Sequence, residues 1–598
     1  MIRHGILTLL IIFSNLLHIQ AQFWLDTIEI KGSQPFYNLT LKADAKYADS
    51  LHHDITGFLQ KIRGSQVQIS TPGGLTTLLH RGMGNRHLPV LWHGFNLQNT
   101  INGSYDMALI PGFLFDDISF YNSGNPALAG NNGLAGTLTL NNSGTISPES
   151  KLFVKLSSLQ NYDAGLVLAG NKDKLRYKFG VQAGYHHNLY KYAFNRQKFE
   201  RQSTDFFQNN IVFKTQYLIN NRQSIHADLW WQNADRIIPT SITSANIIQR
   251  QRDANMRAAL TYKYYTPQSV WNIGAMYSRE KLDFMTPVVD SRAKTDIFII
   301  QAGWTELSNL KMNVNLQHRT DVANPNFFNT TKQRNTTSVG VFKHVDWTKS
   351  LSTEITIRQD LVDKHLKPFS WTLSNHYASL QWHIASNYNL PGFNDLYWPT
   401  GGNPDLKTEQ AYKSEVKYAI EWQDWQIKPA IYANLVNNWI QWVPQANGLW
   451  SPVNQKKVLS RGFELSIDRI LTLAKSDLHI EAGYVYNRTT ALSHYFDKSL
   501  VGKQLIYIPT HKVSMHATYY IRKSSVTLFY QWTGNRYDTP DETGKLDPVH
   551  LLHCHYSIKS GRHLLRAGIN NILNKQYHWV RFYPMPGIHG ELSYMYHL

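Results

Sequence analysis

What this chain lacks narrows it before anything it contains. In 598 residues there is one cysteine, Cys554, and a lone thiol excludes an internal disulfide framework. Charged residues are scarce, at 17%, where an ordinary soluble domain has about 25%. Past the N-terminus no run of about 18 uncharged apolar residues occurs, which excludes membrane-spanning helices. The net charge is +18, yet no Lys/Arg-rich run stands out, which argues against a nucleic-acid partner. Dispersed positive charge fits basic lumen and loop residues, or attraction of an anionic ligand or anionic lipid headgroups. There is also no nucleophile motif, phosphate loop or catalytic carboxylate pair. His553 and His555 share one strand face around Cys554 (which is left to the outward face), but no carboxylate or further Cys stands at a metal-ligand spacing. His52-His53 reads as surface. No enzyme activity, metal site or resident cofactor is expected.

Aromatic residues, by contrast, make up 13% of the chain, with 33 Tyr and 17 Trp. A large, Tyr- and Trp-rich, charge-poor chain without apolar helices fits a transmembrane β-barrel, whose strands need an apolar residue only at every second position. From about Ser143 to Leu598 the pattern has period two. Ile225, Ala227, Leu229 and Trp231 alternate with His226, Asp228 and Trp230, and Met312, Val314 and Leu316 with Asn313, Asn315 and Gln317. Phe463, Leu465 and Ile467 alternate with Glu464, Ser466 and Asp468. Leu478, Ile480, Ala482, Tyr484 and Tyr486 follow the same rule until Val485 interrupts it. Periodicity alone does not separate a soluble sandwich, apolar face inward, from a membrane barrel, apolar face outward.

The N-terminal part is organised differently. Residues 1–21 read as a signal peptide: Arg3, an apolar core from Gly5 to Ile19 too short and interrupted to span a bilayer, and Ala21 before the cut. Within 22–50, Asp26-Thr27-Ile28-Glu29-Ile30 is a short extended segment. A small domain occupies 51–142. The spacing predicts a helix over Asp54–Ile62 and a strand at Val67–Ile69; Leu78–Gly82, Leu88–Leu97 and Ile118–Tyr121 follow, with glycines at most turns and a closing run from Gly130 to Leu140.

Arg81-Gly82, Val90-Leu91-Trp92-His93-Gly94 and Gly130–Leu140, standing in this order after a helix, resemble the plug domain of TonB-dependent outer-membrane receptors. His93 departs from the Asp usual in that family. Asp26–Ile30 is similar to the family's TonB box. In the barrel region, Asn389–Tyr397 with Gly402-Asn403-Pro404-Asp405-Leu406, Arg461–Leu465, and Asn570–Tyr577 with Tyr583–Gly587 resemble further family signatures. Thr408, Ile588 and the terminal Leu598 differ from the usual Pro, Arg and aromatic residue.

The resemblance implies a 22-stranded antiparallel transmembrane β-barrel over 143–598, occluded by a small α+β plug and set in the outer membrane. Spread over 22 strands, 143–598 gives roughly 21 residues per strand and connection, enough for the about 9–11 that a tilted membrane strand needs. It also implies an energised importer. Asp26–Ile30 would add a strand to a TonB-type coupling protein, and plug-loop residues Arg86, Asn99, Asn102 and Tyr105 would meet the ligand, with Trp398 and Asn403 as further outer-loop candidates. A corrinoid such as cobalamin is the favoured cargo and a ferric siderophore the alternative; a passive pore or a barrel enzyme ranks below both. Whether a surface lipoprotein caps the barrel stays open.

Overall fold

A computed structural model describes residues 39–42, 55–122, 130–140 and 146–598, except 195, 202–203, 245–246, 309–310, 446–448 and 495–496. The signal-peptide segment and Asp26–Ile30 lie outside the described residues.

From Lys151 to His597 the chain forms a closed antiparallel barrel. His365–Leu366 and Ile420–Trp422 only lengthen hairpin ends, leaving 22 staves. The ring shuts where the first stave, Lys151–Ser157, pairs with the last, His589–His597. Closure removes the sheet edge, whose bare backbone groups hydrocarbon could not hydrogen-bond.

The burial pattern inverts that of a soluble protein. Along Gln223–Ile238, Ser224, His226, Asp228, Gln232 and Arg236 are buried, while Leu229 and Trp231 are exposed. Polar inside and apolar outside is the signature of a barrel with lipid around it. It resolves what periodicity left open. Trp271, Trp347, Trp382, Trp422, Tyr377 and Tyr418 are exposed near one rim, where amphipathic rings suit the membrane–water boundary. That rim has short turns, such as 173–174, 221–222, 474–475, 522–523 and 561–562. The opposite rim has long connections, such as 187–205, 390–408, 492–510 and 571–588. In membrane barrels the short turns face the periplasm and the long loops face outward.

The described residues of 55–122 and 130–140 occupy the lumen. Helix α1 (Ile55–Lys61) buries Ile55, Phe58 and Leu59, one face at helical spacing. It leads into a hairpin of β2 (Ser65–Ile69) and β3 (Thr76–His80). A second sheet contains β1 (Leu39–Lys42), β4 (Val90–Trp92), β5 (Phe95–Asn96), β6 (Ile118–Tyr121) and β7 (Thr137–Leu140), in the order β1-β6-β7-β4-β5, with β4 and β7 parallel. Its core, including Leu59, Leu78, Trp92, Phe95, Phe113, Phe120 and Leu138, continues into wall residues Phe153, Trp230 and Ile297. The plug therefore packs apolar groups among themselves and, at a few places, against a wall that is otherwise polar.

Candidate functional site

The Arg81-Gly82 pair is where the plug is fastened to the wall. Arg81 has a positive φ of 49° and Gly82 one of 76°, so the chain turns sharply after β3. The turn drives the Arg81 guanidinium into the wall. Its Nε and Nη2 donate to Glu464 at 2.8 and 2.9 Å, and Nη2 also donates to Glu415 at 2.5 Å. The Tyr432 ring covers it, 4.2 Å from the guanidinium carbon. Burial disfavours the charge, but Glu415 and Glu464 outweigh it and hold the arginine well above its ordinary pKa. Gly82 is required twice over: φ is positive, and a Cβ there would lie 2.1 Å from Thr489 Oγ1 of the wall. Neighbouring His80 donates to or accepts from Ser65 Oγ at 2.7 Å. Complete burial, with Arg81 beside it, pushes its pKa well below the usual histidine value.

The Val90–Gly94 motif is a two-residue hairpin between β4 and β5. His93 and Gly94 both have positive φ, 51° and 84°, the geometry of a tight mirror-image turn. Histidine tolerates the left-handed region better than most residues, so the turn survives without the usual Asp. The carboxylate comes from the wall instead: His93 Nε2 lies 3.5 Å from Asp228.

More polar contacts fix the sheet side of the plug. Arg236 donates to Asp106 at 2.5 Å, and Arg319 donates to the carbonyls of Asn96 and Gln98 at 2.8 and 3.0 Å. Lys413 donates to the carbonyl of Gly133 at 2.8 Å. Asp116 accepts from Lys178 at 2.5 Å and Lys214 at 3.2 Å. Burial would raise the Asp116 pKa, but the two lysines prevail and hold it below the usual carboxylate range.

At the outer end, loop 390–408 closes onto the plug tip. The short helix α2 (Phe393–Tyr397) is docked through Phe393 N–H to the Thr100 carbonyl at 2.9 Å and Asn394 N–H to the Ile101 carbonyl at 3.0 Å. Arg86 grips Asp395 with both terminal nitrogens, and Trp442 Nε1 donates to the same carboxylate at 2.9 Å. His87 Nε2 and Glu409 lie 2.9 Å apart just below.

The four residues expected to meet ligand do not converge on one surface. Arg86 is partly exposed beside Asp395. Asn102 is exposed and accepts from Asn394 at 2.8 Å. Asn99 is turned to the wall, donating to Glu280 at 2.9 Å. Tyr105 is buried, with the Arg257 guanidinium 5.7 Å from its ring. In the outer loop, Asn403 donates to the Pro452 carbonyl at 3.1 Å, and the Trp398 ring lies 5.0 Å from Phe327. Sequence reasoning missed the partners Glu415, Asp395 and Asp228. Their one available signal was a carboxylate on the polar phase of an alternating strand, or beside a motif, as for Asp395 and Glu464.

The other side of the plug is open. A cavity of about 780 Å³ lies beside α1 and the turn after β2. It reaches from Asn188 and Tyr577, at the outer loops, to Gln426, Arg469 and Tyr520, near the short turns. Six histidines line it: His186, His479, His516, His553, His555 and His589. Phe529 stacks between His516, at 4.2 Å, and His553, at 5.4 Å. His553 and His555 share Asn570 Oδ1, at 2.9 and 3.3 Å, so the pair flanking Cys554 faces the lumen. Among the described residues, no group of three or more His, Cys, Asp or Glu is placed to hold a metal ion.

A closed 22-stave barrel whose lumen is stopped by an N-terminal helix-and-sheet region clamped to its wall defines a plugged barrel receptor. Residues 94–572 match the family described as TonB dependent receptor-like, beta-barrel, and residues 44–137 match the TonB-dependent Receptor Plug Domain. The chain belongs to the TonB-dependent receptor family, whose members are receptors and transporters of the outer membrane. It is 23% identical over 552 residues to a protein named vitamin B12 transporter BtuB of Photobacterium profundum, covering 88% of this chain and 86% of the relative. A second protein of that name, from Vibrio vulnificus, is 27% identical over 235 residues, 38% of this chain and 36% of the relative. The siderophore receptor PirA of Acinetobacter baumannii shares the fold at a TM-score of 0.75 and 14% identity, over 93% of this chain and 98% of PirA. The ferric enterobactin receptor PfeA of Pseudomonas aeruginosa does so at 0.75 and 13%, over 93% and 99%.

Proposed function

We propose that the chain is an energised importer of a corrinoid of the cobalamin type. The observation that carries the importer reading is the seating of an outer loop on the plug tip. Asp395 of α2 holds Arg86, and two backbone hydrogen bonds join α2 to residues 100–101. A ligand arriving from outside meets α2 and the plug tip together, through Arg86 and Asn102 first and with Asn99 and Tyr105 behind them, so its binding energy can shift the plug. The same coupling must run in reverse, from plug to ligand. Asp26–Ile30 would then offer a strand to a TonB-type partner, and a pull on the N-terminal side would act first on α1, the side where the cavity lies. The corrinoid reading is supported by the relatives named as vitamin B12 transporters, one of them matched over most of both chains.

Two measurements test this reading. Calorimetry on the purified protein in detergent, against a cobalamin and several ferric siderophores, should show submicromolar binding to the corrinoid. Binding only to a ferric chelate would overturn the cargo and assign the chain to iron uptake. Deletion of Asp26–Ile30 should abolish uptake while leaving surface binding intact; undiminished uptake would overturn the energised mechanism.

A further inference from the structure

The outer surface of the barrel carries a feature that import does not use. Arg461 and Arg488 stand directly opposite each other on neighbouring strands. Both face outward, because the residues alternating with them, Ser460, Glu464, Asn487 and Thr489, are buried toward the lumen. Like charges directly opposite in a strand pair repel. Among the described residues no acidic group adjoins them on the outward face, where the strand neighbours are Ala433, Leu459, Phe463 and Tyr486. Arg488 reaches the Gly502 carbonyl at 3.5 Å, and among the described residues neither arginine forms an ion pair. Lys457, also exposed, lies two outward positions beyond Arg461 toward the outer rim.

Their height on the barrel gives the pair its meaning. Below Arg461 the outward face reads Phe463, Leu465 and Ile467; below Arg488 it reads Tyr486, Tyr484 and Ala482. The Phe463 and Tyr484 rings are 6.4 Å apart, as in an interfacial aromatic girdle. The arginines thus emerge just above the apolar band, at the headgroup level of the outer leaflet.

The pattern recurs elsewhere on the circumference. Lys281 and Lys294 are directly opposite on the outward face, above Tyr277, Phe298, Ile273 and Ile300. Arg279 and Lys294 share Asp296, at 2.7 and 3.1 Å, whereas Lys281 has no ion pair among the described residues.

We propose that Arg461 and Arg488, with Lys457, bind the phosphate of an outer-leaflet lipid headgroup, and that Lys281 and Lys294, with Arg279, form a second such site. A phosphate between two opposed cations turns their repulsion into two charge-assisted contacts, and the guanidinium fork matches its oxygens. Its acyl chains would lie along the aromatic and aliphatic residues beneath.

The test is native mass spectrometry of the purified full chain with a phosphorylated glycolipid, with the dephosphorylated glycolipid bearing the same chains, and with inorganic phosphate as competitor. R461Q/R488Q should lower retention of the phosphorylated lipid roughly tenfold, the scale of losing one strong charge-assisted contact, and leave the dephosphorylated lipid unchanged. R461K/R488K should retain most of the binding. Equal retention by the parent and the Gln variant would overturn the proposal, as would full displacement by millimolar-scale inorganic phosphate, which would mark a soluble-anion site instead. If R461Q/R488Q does not reach the folded, heat-modifiable form, K281Q/K294Q on the other strands gives the same readout, with loss supporting the proposal and equal retention overturning it.

Discussion

The two flanks of the plug are held by different chemistry. On the flank formed by the β2–β3 hairpin and the sheet, Arg81 at the end of β3, Asp106 and Asp116 are tied to wall residues of opposite charge, and the pairs are largely buried. On the helix flank, α1 and the turn after it, the ion pair from plug to wall among the described residues is Arg63–Asp468, at 3.4 Å with both side chains partly exposed, and Ile55, Thr56, Gly57, Gln60 and Lys61 border the cavity. A buried pair is costly to break, because one charge is left desolvated; an exposed pair is cheap. The difference implies an order of events: a pull transmitted through the N-terminal side meets the weaker flank first, and α1 with the turn after it can leave the wall before the β2–β3 hairpin, held by Arg81, and the sheet do.

Substitutions should grade accordingly, with plug opening read by hydrogen exchange of β3 in the folded barrel. Arg81→Met removes one guanidinium from two buried carboxylates and should lower the opening free energy by about 3–5 kcal/mol. Replacing Glu415 and Glu464 by Gln in the same chain should recover part of that loss. Gly82→Ala sets a Cβ against Thr489 in a positive-φ turn and should cost about 1–3 kcal/mol. A pH series sharpens the comparison further. His80 is kept neutral in the fold, while the unfolded chain takes up a proton near the usual pKa of about 6.5. Below that pH the unfolded state binds more protons, so stability falls with falling pH, by at most about 1.4 kcal/mol per unit; above it, His80 contributes no slope. His80→Asn should flatten the dependence. Arg63→Ala should cost only about 0–1 kcal/mol, and an effect as large as that of Arg81→Met would erase the distinction between the flanks.

Much of this architecture was legible because barrels and turns are written locally. Alternation placed Leu229 and Trp231 on one face and Asp228 and Trp230 on the other, and Arg81-Gly82 marked a forced turn. Which face was wet was not local, since it depends on whether lipid or another sheet covers the apolar side. Nor were the partners of Arg81: Glu415 and Glu464 lie more than three hundred residues away in sequence, and only ring closure brings them to one spot. Tyr105 shows the same limit. Its segment does lie in the loop region of the plug, but the wall strand bearing Arg257 buries it. The six histidines of the cavity come from five different strands, so sequence showed only the local pair His553 and His555.

The central claim is that the plug opens from the helix flank. Hydrogen-exchange mass spectrometry on the full chain in a lipid bilayer tests it directly, comparing peptides across residues 55–63 with those across 90–97 and 118–121. The two-flank picture predicts that 55–63 opens with a lower free energy, and that Arg81→Met narrows the gap by weakening the flank of the hairpin and the sheet. Equal protection in both regions, or earlier opening of 90–97, would contradict it and mean that the plug is held as a single unit.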